Sequence, residues 1–265
     1  MRLASICILA VWLVAVVFGR WLGMSPNHID LNAILQLPDA RHWLGTDDLG
    51  RDILARVLHG VEVSLSVAMM VTVITMAIGV SIGLLAGTLG GRLDSNLMRL
   101  TDVFLAFPGM LLAIAFAAVL GAGINNLMLA LCMTGWVSYA RLSRGQALAL
   151  RARPHVLAAF SLGAGPVRVM YRHVLPLMLS LLLVEATYSM ASVMIAEASL
   201  SFLGLGIQPP QASWGAMLRD AVRFMLVAPH YVLAVGFCMM SLILAINLGG
   251  DWLRDRLDVR SEGQL

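Results

Sequence analysis

Two carboxylates lie inside an apolar stretch of the chain, where a charge is costly. Glu185 and Glu197 both fall within residues 177–203, a mostly apolar run. A charged side chain at the middle of a bilayer costs at least about 2.5–3.5 kcal/mol, so such residues usually face a bundle interior or a water-filled path. Their spacing puts both on roughly one face of a helix. We predict that Glu185 and Glu197 line a translocation path, with an interfacial position as the alternative for each.

The residue types that support catalysis or metal binding in other proteins do not have the spacing for either role in this sequence. The six His and three Cys lack the paired spacing of a metal site. Asp47, Asp48 and Asp52 cluster in GTDDLGRD, but without the alternating ligands and terminal Glu of a calcium loop. The chain has no Lys, so it has no phosphate-binding loop. We predict no catalytic residue, no metal site and no ATP hydrolysis by this chain.

The composition of the chain points to a bilayer. Of its 265 residues, 60% are hydrophobic and 12% charged, with a mean hydropathy of +0.86. That is too much apolar side chain for one water-soluble core. A helix needs about 20 residues to cross the hydrocarbon. We predict an all-α polytopic membrane protein with about six transmembrane helices, at approximately 3–22, 61–88, 101–121, 124–142, 177–203 and 231–250.

The arginines indicate how these helices are oriented. The segment between Ala140 and Pro176 has no acidic residue. Its basic residues are Arg141, Arg144, Arg151, Arg153, Arg168 and Arg172. By the positive-inside rule this segment is cytoplasmic, and alternation then places both termini, with Arg2 and Arg260, on the same side. Segments 24–60 and 204–230 fall outside. The net charge of +3 therefore reflects topology and not nucleic-acid binding.

Glycine and proline mark special positions in the predicted helices. Gly79, Gly83, Gly87 and Gly91 are four residues apart, and small residues at this spacing let two helix backbones approach closely in lipid. Pro108 lies just inside the third predicted span, where the helix must start late or kink.

The stretch HVLAAFSLGAGPVRVMYRHVLP, residues 155–176, has the pattern of two short helices. Gly163 and Gly165 separate two sets of apolar residues at helical spacing. The sets are Val156, Ala159 and Phe160, then Val167, Met170, Tyr171 and Val174. The segment is too long for a tight connection and too apolar for a solvated linker. We therefore predict that it docks into another protein.

This segment resembles the cytoplasmic coupling loop of bacterial ABC importer permeases. The family pattern is Glu-Ala-Ala, three residues, Gly, nine residues, Ile-x-Leu-Pro. Leu157, Ala158, Ala159, Gly163, Leu175 and Pro176 match it in register, with Leu157 in place of Glu and His173 in place of Ile. The resemblance implies that these residues, together with Arg168, form the loop that couples the chain to an ATPase.

Three further stretches are similar to the peptide/nickel importers, and specifically to the second of their two permease subunits. They are HWLGTDDLGRDILARVLHGVEVSL at 42–65, AEASLSFLGLGIQPPQASWGAML at 196–218 and NLGGDWLRDRLD at 247–258. Together they extend over nearly the whole chain. Members of this group carry dipeptides, oligopeptides, nickel or metal chelates, and the residues leave these cargoes open.

The resemblance implies a type I ABC importer fold in a bacterial inner membrane. Residues 1–60 would form an N-terminal transmembrane helix and an extracytoplasmic segment, and residues 61–265 the importer transmembrane domain, with the coupling loop at 141–176. The implied partners are a second, homologous permease in a heterodimer, two cytoplasmic ATPase subunits and an extracytoplasmic solute-binding protein. ATP and Mg would be bound by the ATPase subunits, and this chain would hold no cofactor.

Two other classes of protein were weighed against this interpretation. A secondary transporter or channel working without ATP predicts inverted repeats with interrupted helices in matching halves, and the sequence has no such internal repeat. A membrane scaffold protein would not need the docking register of residues 157–176. Co-purification of a nucleotide-hydrolysing subunit separates the three classes.

Overall fold

A computed structural model describes the backbone of residues 2–21 and 25–262, with side chains for 7–17, 19 and 25–257. The side chains of Arg2 and Arg260, used above for orientation, lie outside this set. The helices are α1 (Arg2–Trp21), α2 (Ile53–Leu89), α3 (Gly91–Leu105), α4 (Gly109–Leu120), α5 (Ile124–Arg151), α6 (Pro154–Ser161), α7 (Pro166–Val169), α8 (Leu175–Phe202), α9 (Trp214–Val222) and α10 (Pro229–Glu262). A 3-10 turn at Leu31–Ala33 and a π-helical turn at Met170–Val174 complete them.

Three helical stretches of the described residues are long and apolar enough to cross a bilayer. They are α2, the continuous helix Pro166–Phe202 formed by α7, the π-helical turn and α8, and Pro229–Leu257 of α10. A fourth span results if α3 and α4 are counted together. The prediction of an all-helical polytopic membrane protein is confirmed, and all six predicted segments contain helix.

The number of spans supported by length and composition is smaller than six. The apolar part of α1 is the short stretch Cys7–Val17. Helix α5 is 28 residues long but carries amides near its start and arginines in its second half, which lower its apolar content. Six crossings therefore stay a prediction, and three or four are supported.

The third predicted span, 101–121, is not one straight helix. Helix α3 begins at Gly91, inside the predicted connecting segment 89–100, and α4 begins at Gly109 with its axis turned by 83°. Pro108 stands at the break, and its ring and missing N–H prevent an uninterrupted helix. The predicted kink is confirmed, and it is sharp enough to divide the segment into two helices.

The chain divides into two compact units. The first comprises Met1–Met69, Ile114–Ala130 and Met190–Gly249. Its core packs Ile53 and Val57 of α2 against Met194 of α8, Trp214 of α9 and Tyr231 of α10. The Trp214 indole N–H donates to the Val57 carbonyl at 3.1 Å, which satisfies the polar edge of a fully buried ring.

The second unit comprises Met70–Ala113, Leu131–Ser189 and Gly250–Leu265. Its largest cluster of buried side chains joins Leu84 of α2 and Tyr139 of α5 to Val156 of α6, Met170 of the π-helical turn and Met178 of α8. The segment predicted to dock into another protein, residues 155–176 (the docking segment), therefore shares a core with helices of its own unit.

Glycines of α2 lie directly against the backbone of α5 in this second unit. A Cβ built on Gly79 would lie 2.3 Å from the Trp136 carbonyl oxygen, and one on Gly83 would lie 2.3 Å from that of Ala140. Gly87 is similarly close to Ala147. The predicted close helix contact is confirmed for these three. It is wrong for Gly91, which begins α3 and would have nothing within 4 Å of a Cβ.

Candidate functional site

The docking segment forms the predicted helix–turn–helix. Pro154 opens α6 at a position where a missing N–H is not needed. The turn contains Gly163 in the left-handed region, with φ +83°, a conformation that glycine adopts without steric cost. Gly165 precedes α7 with extended backbone and Pro166 opens that helix. The glycines therefore break the helix as the sequence predicted.

The second helix of the segment differs from the prediction. It does not end at Leu175-Pro176 but continues from Pro166 to Phe202. The Leu175 N–H donates to the Met170 carbonyl, an i to i−5 bond, so the chain passes through a π-helical turn before the proline. Such a turn is one way for a helix to accommodate a proline, whose ring clashes with the carbonyl of the preceding turn. The second helix of the segment and α8 are thus one continuous helix.

Some of the residues that match the family pattern face the interior of the protein, and others face outward. Ala159 is buried, as is its neighbour Val156, whereas Leu157, Ala158, Gly163 and Arg168 are exposed. Leu175 is half-buried and Pro176 exposed. Large apolar side chains also point outward, with exposed fractions of 51% for Leu157, 88% for Leu162, 61% for Val167 and 52% for Tyr171. This exposed apolar ridge, Leu157, Leu162, Val167 and Tyr171, is suited to a protein partner.

Two ion pairs connect α3 to α5 next to the docking segment in sequence. Arg144 donates Nε to Asp94 Oδ1 at 2.5 Å and a terminal nitrogen to Oδ2 at 2.7 Å. Arg141 pairs with Asp102. A bidentate guanidinium–carboxylate pair fixes orientation as well as position. These pairs were not predicted from the sequence, because the aspartates lie 50 and 39 residues away from their arginines.

Glu197 is completely buried in the first unit. Its carboxylate accepts from the Ser64 hydroxyl of α2 and the Ser201 hydroxyl of α8, both at 2.8 Å, and it is also hydrogen-bonded by Ser213. Ser213 caps α9 by accepting from the Ala216 N–H. The carboxylate can therefore hold α2, α8 and the start of α9 together.

Glu185 has different surroundings in the second unit. Its side chain is half-buried and lines a cavity of about 270 Å³ with Tyr188 and Arg254. Across the described side chains, none forms a hydrogen bond or ion pair with its carboxylate. The two predicted path residues thus belong to one helix but to separate environments.

The aspartates of GTDDLGRD, in the segment 24–60 that was predicted to lie outside, take part in an ion-pair network. Asp47 is buried and accepts from Arg51 Nε at 2.7 Å, and Arg56 Nε lies 3.4 Å from the same oxygen. The backbone N–H groups of Leu49 and Arg51 donate to the other carboxylate oxygen of Asp47, Oδ1. Burial, and secondly the neighbouring Asp47 charge, raises the pKa of Asp48. Arginines thus occupy the carboxylate that a calcium ion would need.

Glu62 is a further carboxylate within a predicted span, and it was not among the predicted site residues. Glu62 lies in α2, inside the second predicted span, and lines a cavity of about 290 Å³ with His59. The same signal that singled out Glu185, a carboxylate within an apolar run, was present in the sequence at this position. Among the described residues, no group of three His, Cys, Asp or Glu side chains could hold a metal ion.

These features define a class of protein: a helical membrane protein with an exposed apolar ridge on a basic segment. Residues 79–261 match the family described as the binding-protein-dependent transport system inner membrane component. The chain belongs to this family and is a permease of an ABC importer of the peptide/nickel group. Such permeases are multi-pass inner membrane proteins and not enzymes, since the ATPase is a separate subunit, and they work with a partner permease and a binding protein.

Individual relatives extend the match to almost the whole chain. The glutathione transport system permease protein GsiD of Salmonella typhimurium is 45% identical over 258 residues, which cover 97% of this chain and 85% of the relative. The protein of the same name from Shigella flexneri is 44% identical over 253 residues, covering 95% and 84%. The protein of the same name from Escherichia coli is 41% identical over 253 residues, which cover 95% of this chain and 84% of the relative.

Proposed function

We propose that this chain is the permease subunit of an ATP-driven importer that carries glutathione or a peptide of similar size across the bacterial inner membrane. The observation that supports this cargo is the 45% identity to relatives named as glutathione transport permeases, extending over 97% of the chain. Glutathione is a small peptide, so the cargo agrees with the peptide branch of the group and leaves nickel and metal chelates as the cargoes to be excluded.

The proposed complex pairs this chain with a second, homologous permease as a heterodimer. Two cytoplasmic ATPase subunits would bind ATP and Mg, and this chain would hold no cofactor. An extracytoplasmic solute-binding protein would deliver the cargo. Both termini would lie in the cytoplasm, with residues 1–60 forming the N-terminal helix and outer segment, and residues 61–265 the transport domain.

Coupling to the ATPase is assigned to the segment 141–176. Leu157, Ala158, Gly163 and Arg168 would face the ATPase, because their side chains or backbone are exposed. Ala159 and Leu175 would shape the segment from within, and the exposed Pro176 would act at the junction with α8. Where related permeases place a Glu, Leu157 would contribute an apolar contact, in keeping with the exposed ridge that it shares with Leu162 and Val167.

The two carboxylates of α8 are assigned to cargo movement in different ways. Glu185, which lines a cavity, would contact cargo directly. Glu197 is closed in by serines, so a path role for it would require those contacts to open during transport.

Uptake into proteoliposomes tests the proposal. The complex is produced by co-expressing this chain with the partner permease, the ATPase subunits and the binding protein. It should accumulate labelled glutathione only when ATP and Mg are supplied on the ATPase side. Nickel alone should not be taken up. Uptake of nickel without glutathione, or uptake of glutathione without ATP, would contradict the proposal.

A further inference from the structure

The cavity of about 270 Å³ that Glu185 lines in the second compact unit has further polar groups in its wall. Helix α8 contributes Ser180, Val184, Glu185 and Tyr188 to its wall. Ser180, Val184 and Tyr188 are four residues apart and Glu185 is three residues before Tyr188, so these side chains lie on one side of the helix. The end of α10 contributes Arg254.

The wall of the cavity carries one charge of each sign. The Glu185 carboxylate is half-buried, and no described side chain provides it with a hydrogen bond or an ion pair. The Tyr188 hydroxyl donates to Asp251 Oδ1 at 2.5 Å, and Arg254 interacts with the same hydroxyl. Arg254 thus lies beside Tyr188, whereas Glu185 makes no ion pair with a described side chain.

A carboxylate withdrawn from water needs an ionic or hydrogen-bonding partner. A ligand ammonium group would supply that partner to Glu185, and a ligand carboxylate would suit the Arg254 guanidinium, which binds planar carboxylates well. Ser180 adds a hydroxyl and Val184 an apolar surface. The volume lies just below the range usual for ligand pockets, so it suits a portion of a small peptide.

We propose that this cavity is a binding site for a zwitterionic peptide, in which Glu185 binds the ammonium group and Arg254 binds a carboxylate. The inference rests on the proposed function, because it names the chemical groups of the cargo that this chain would recognise. The cavity would recognise the same two groups on a peptide in transit and on a peptide that has accumulated on the inner side of the membrane.

Binding to the purified complex tests the proposal. The complex of both permeases and the ATPase subunits, in nanodiscs without nucleotide or binding protein, is titrated with glutathione and with its N-acetyl form, which lacks the ammonium group. We expect the wild type to prefer glutathione, and Glu185→Gln to weaken glutathione binding about tenfold while leaving the acetylated peptide unchanged. Arg254→Gln should weaken both.

Asp255→Asn is the matched control, because it removes an exposed carboxylate of α10 that does not line the cavity. It should bind both peptides like the wild type. Equal affinities of wild type and Glu185→Gln for glutathione, or equal losses for both peptides, would overturn the proposal. Size-exclusion profiles of the variant complexes establish that a loss of binding is not a loss of assembly.

Two further arms separate the possible failures. Loading the proteoliposomes with glutathione should slow uptake in the wild type but not in Glu185→Gln if the cavity binds accumulated peptide, and should slow both equally if it binds only peptide in transit. Glycylglycine and its acetylated form are titrated in parallel. If the wild type imports no glutathione but Glu185→Gln still abolishes the preference for free glycylglycine, the cavity assignment holds and the cargo assignment falls.

Discussion

Glu197 and Glu185 belong to the same helix, yet their carboxylates have different surroundings. Glu197 has no exposed surface and accepts hydrogen bonds from serine hydroxyls. Glu185 is half-buried beside a cavity. A charge whose hydrogen bonds are all made within the protein stabilises an arrangement, whereas one without a partner is available to a ligand.

The same contrast extends to the two compact units. In the first, Asp47 is buried between Arg51 and Arg56. In the second, the pair of Asp102 and Arg141 is 60% and 50% exposed. We infer that the buried charges of the first unit maintain the fold, whereas Asp102, Arg141 and Glu185 of the second are placed where partners and ligands can reach them. Four substitutions test this contrast.

Asp47→Asn should have the largest effect. It leaves two arginines buried beside a neutral amide, and breaking a buried ion pair by removing one partner costs about 3–5 kcal/mol. We expect the purified complex to unfold at a clearly lower temperature, measured by intrinsic fluorescence.

Asp48→Asn is the control for this substitution. Because its pKa is raised in the folded protein, the ionised form of Asp48 opposes folding at neutral pH, and removing the charge should leave stability unchanged or slightly higher. If Asp47→Asn unfolds at the wild-type temperature, the network does not maintain the first unit.

Glu197→Gln should have the next largest effect. The amide replaces one acceptor oxygen with a donor that faces serine hydroxyls, and an unsatisfied buried polar group costs about 1–3 kcal/mol. We expect a lower unfolding temperature for Glu197→Gln and none of that loss for Glu185→Gln, although transport falls in both. Equal unfolding temperatures for the two variants would remove the distinction between the carboxylates.

The sequence predicts those features that depend on neighbouring residues. Gly163 and Gly165 mark the turn of the docking segment, and the spacing of Gly79 and Gly83 marks a close helix contact. Both were confirmed, because turn chemistry and helical spacing are local properties.

Features that depend on distant residues could not be predicted in this way. Ser64 is 133 residues from Glu197 in sequence, so of these two serine partners only Ser201, four residues further on, could have been suggested by the neighbouring sequence. Residues 155–176 were predicted as two short helices separate from the span at 177–203, and a proline at such a junction usually interrupts a helix. The π-helical turn that accommodates Pro176 has no sequence signal of comparable strength.

Gly163→Val should reduce coupling with a smaller cost in stability. The residue has φ +83° and open space around a Cβ, so the cost is backbone strain of about 1–2 kcal/mol in the turn and not a clash within the chain. We expect the variant to stay paired with its sister permease but to retain less ATPase on co-purification. Gly165→Ala, where φ is −66° and a Cβ also has open space, should retain wild-type amounts. Normal ATPase retention and normal uptake by Gly163→Val would show that this turn does not dock.

Asp102→Asn should have the smallest effect on stability. Its partner Arg141 belongs to α5, and both side chains are at least half exposed, so water and salt screen the pair and its removal should cost less than about 1 kcal/mol. Asp94→Asn, in the half-buried bidentate pair with Arg144, provides the comparison and should cost more. The measurement is again the unfolding temperature of the complex, at low and at high salt. A large loss for Asp102→Asn that persists at high salt would mean that exposed charges of the second unit also maintain its fold, and the contrast between the two units would then fail.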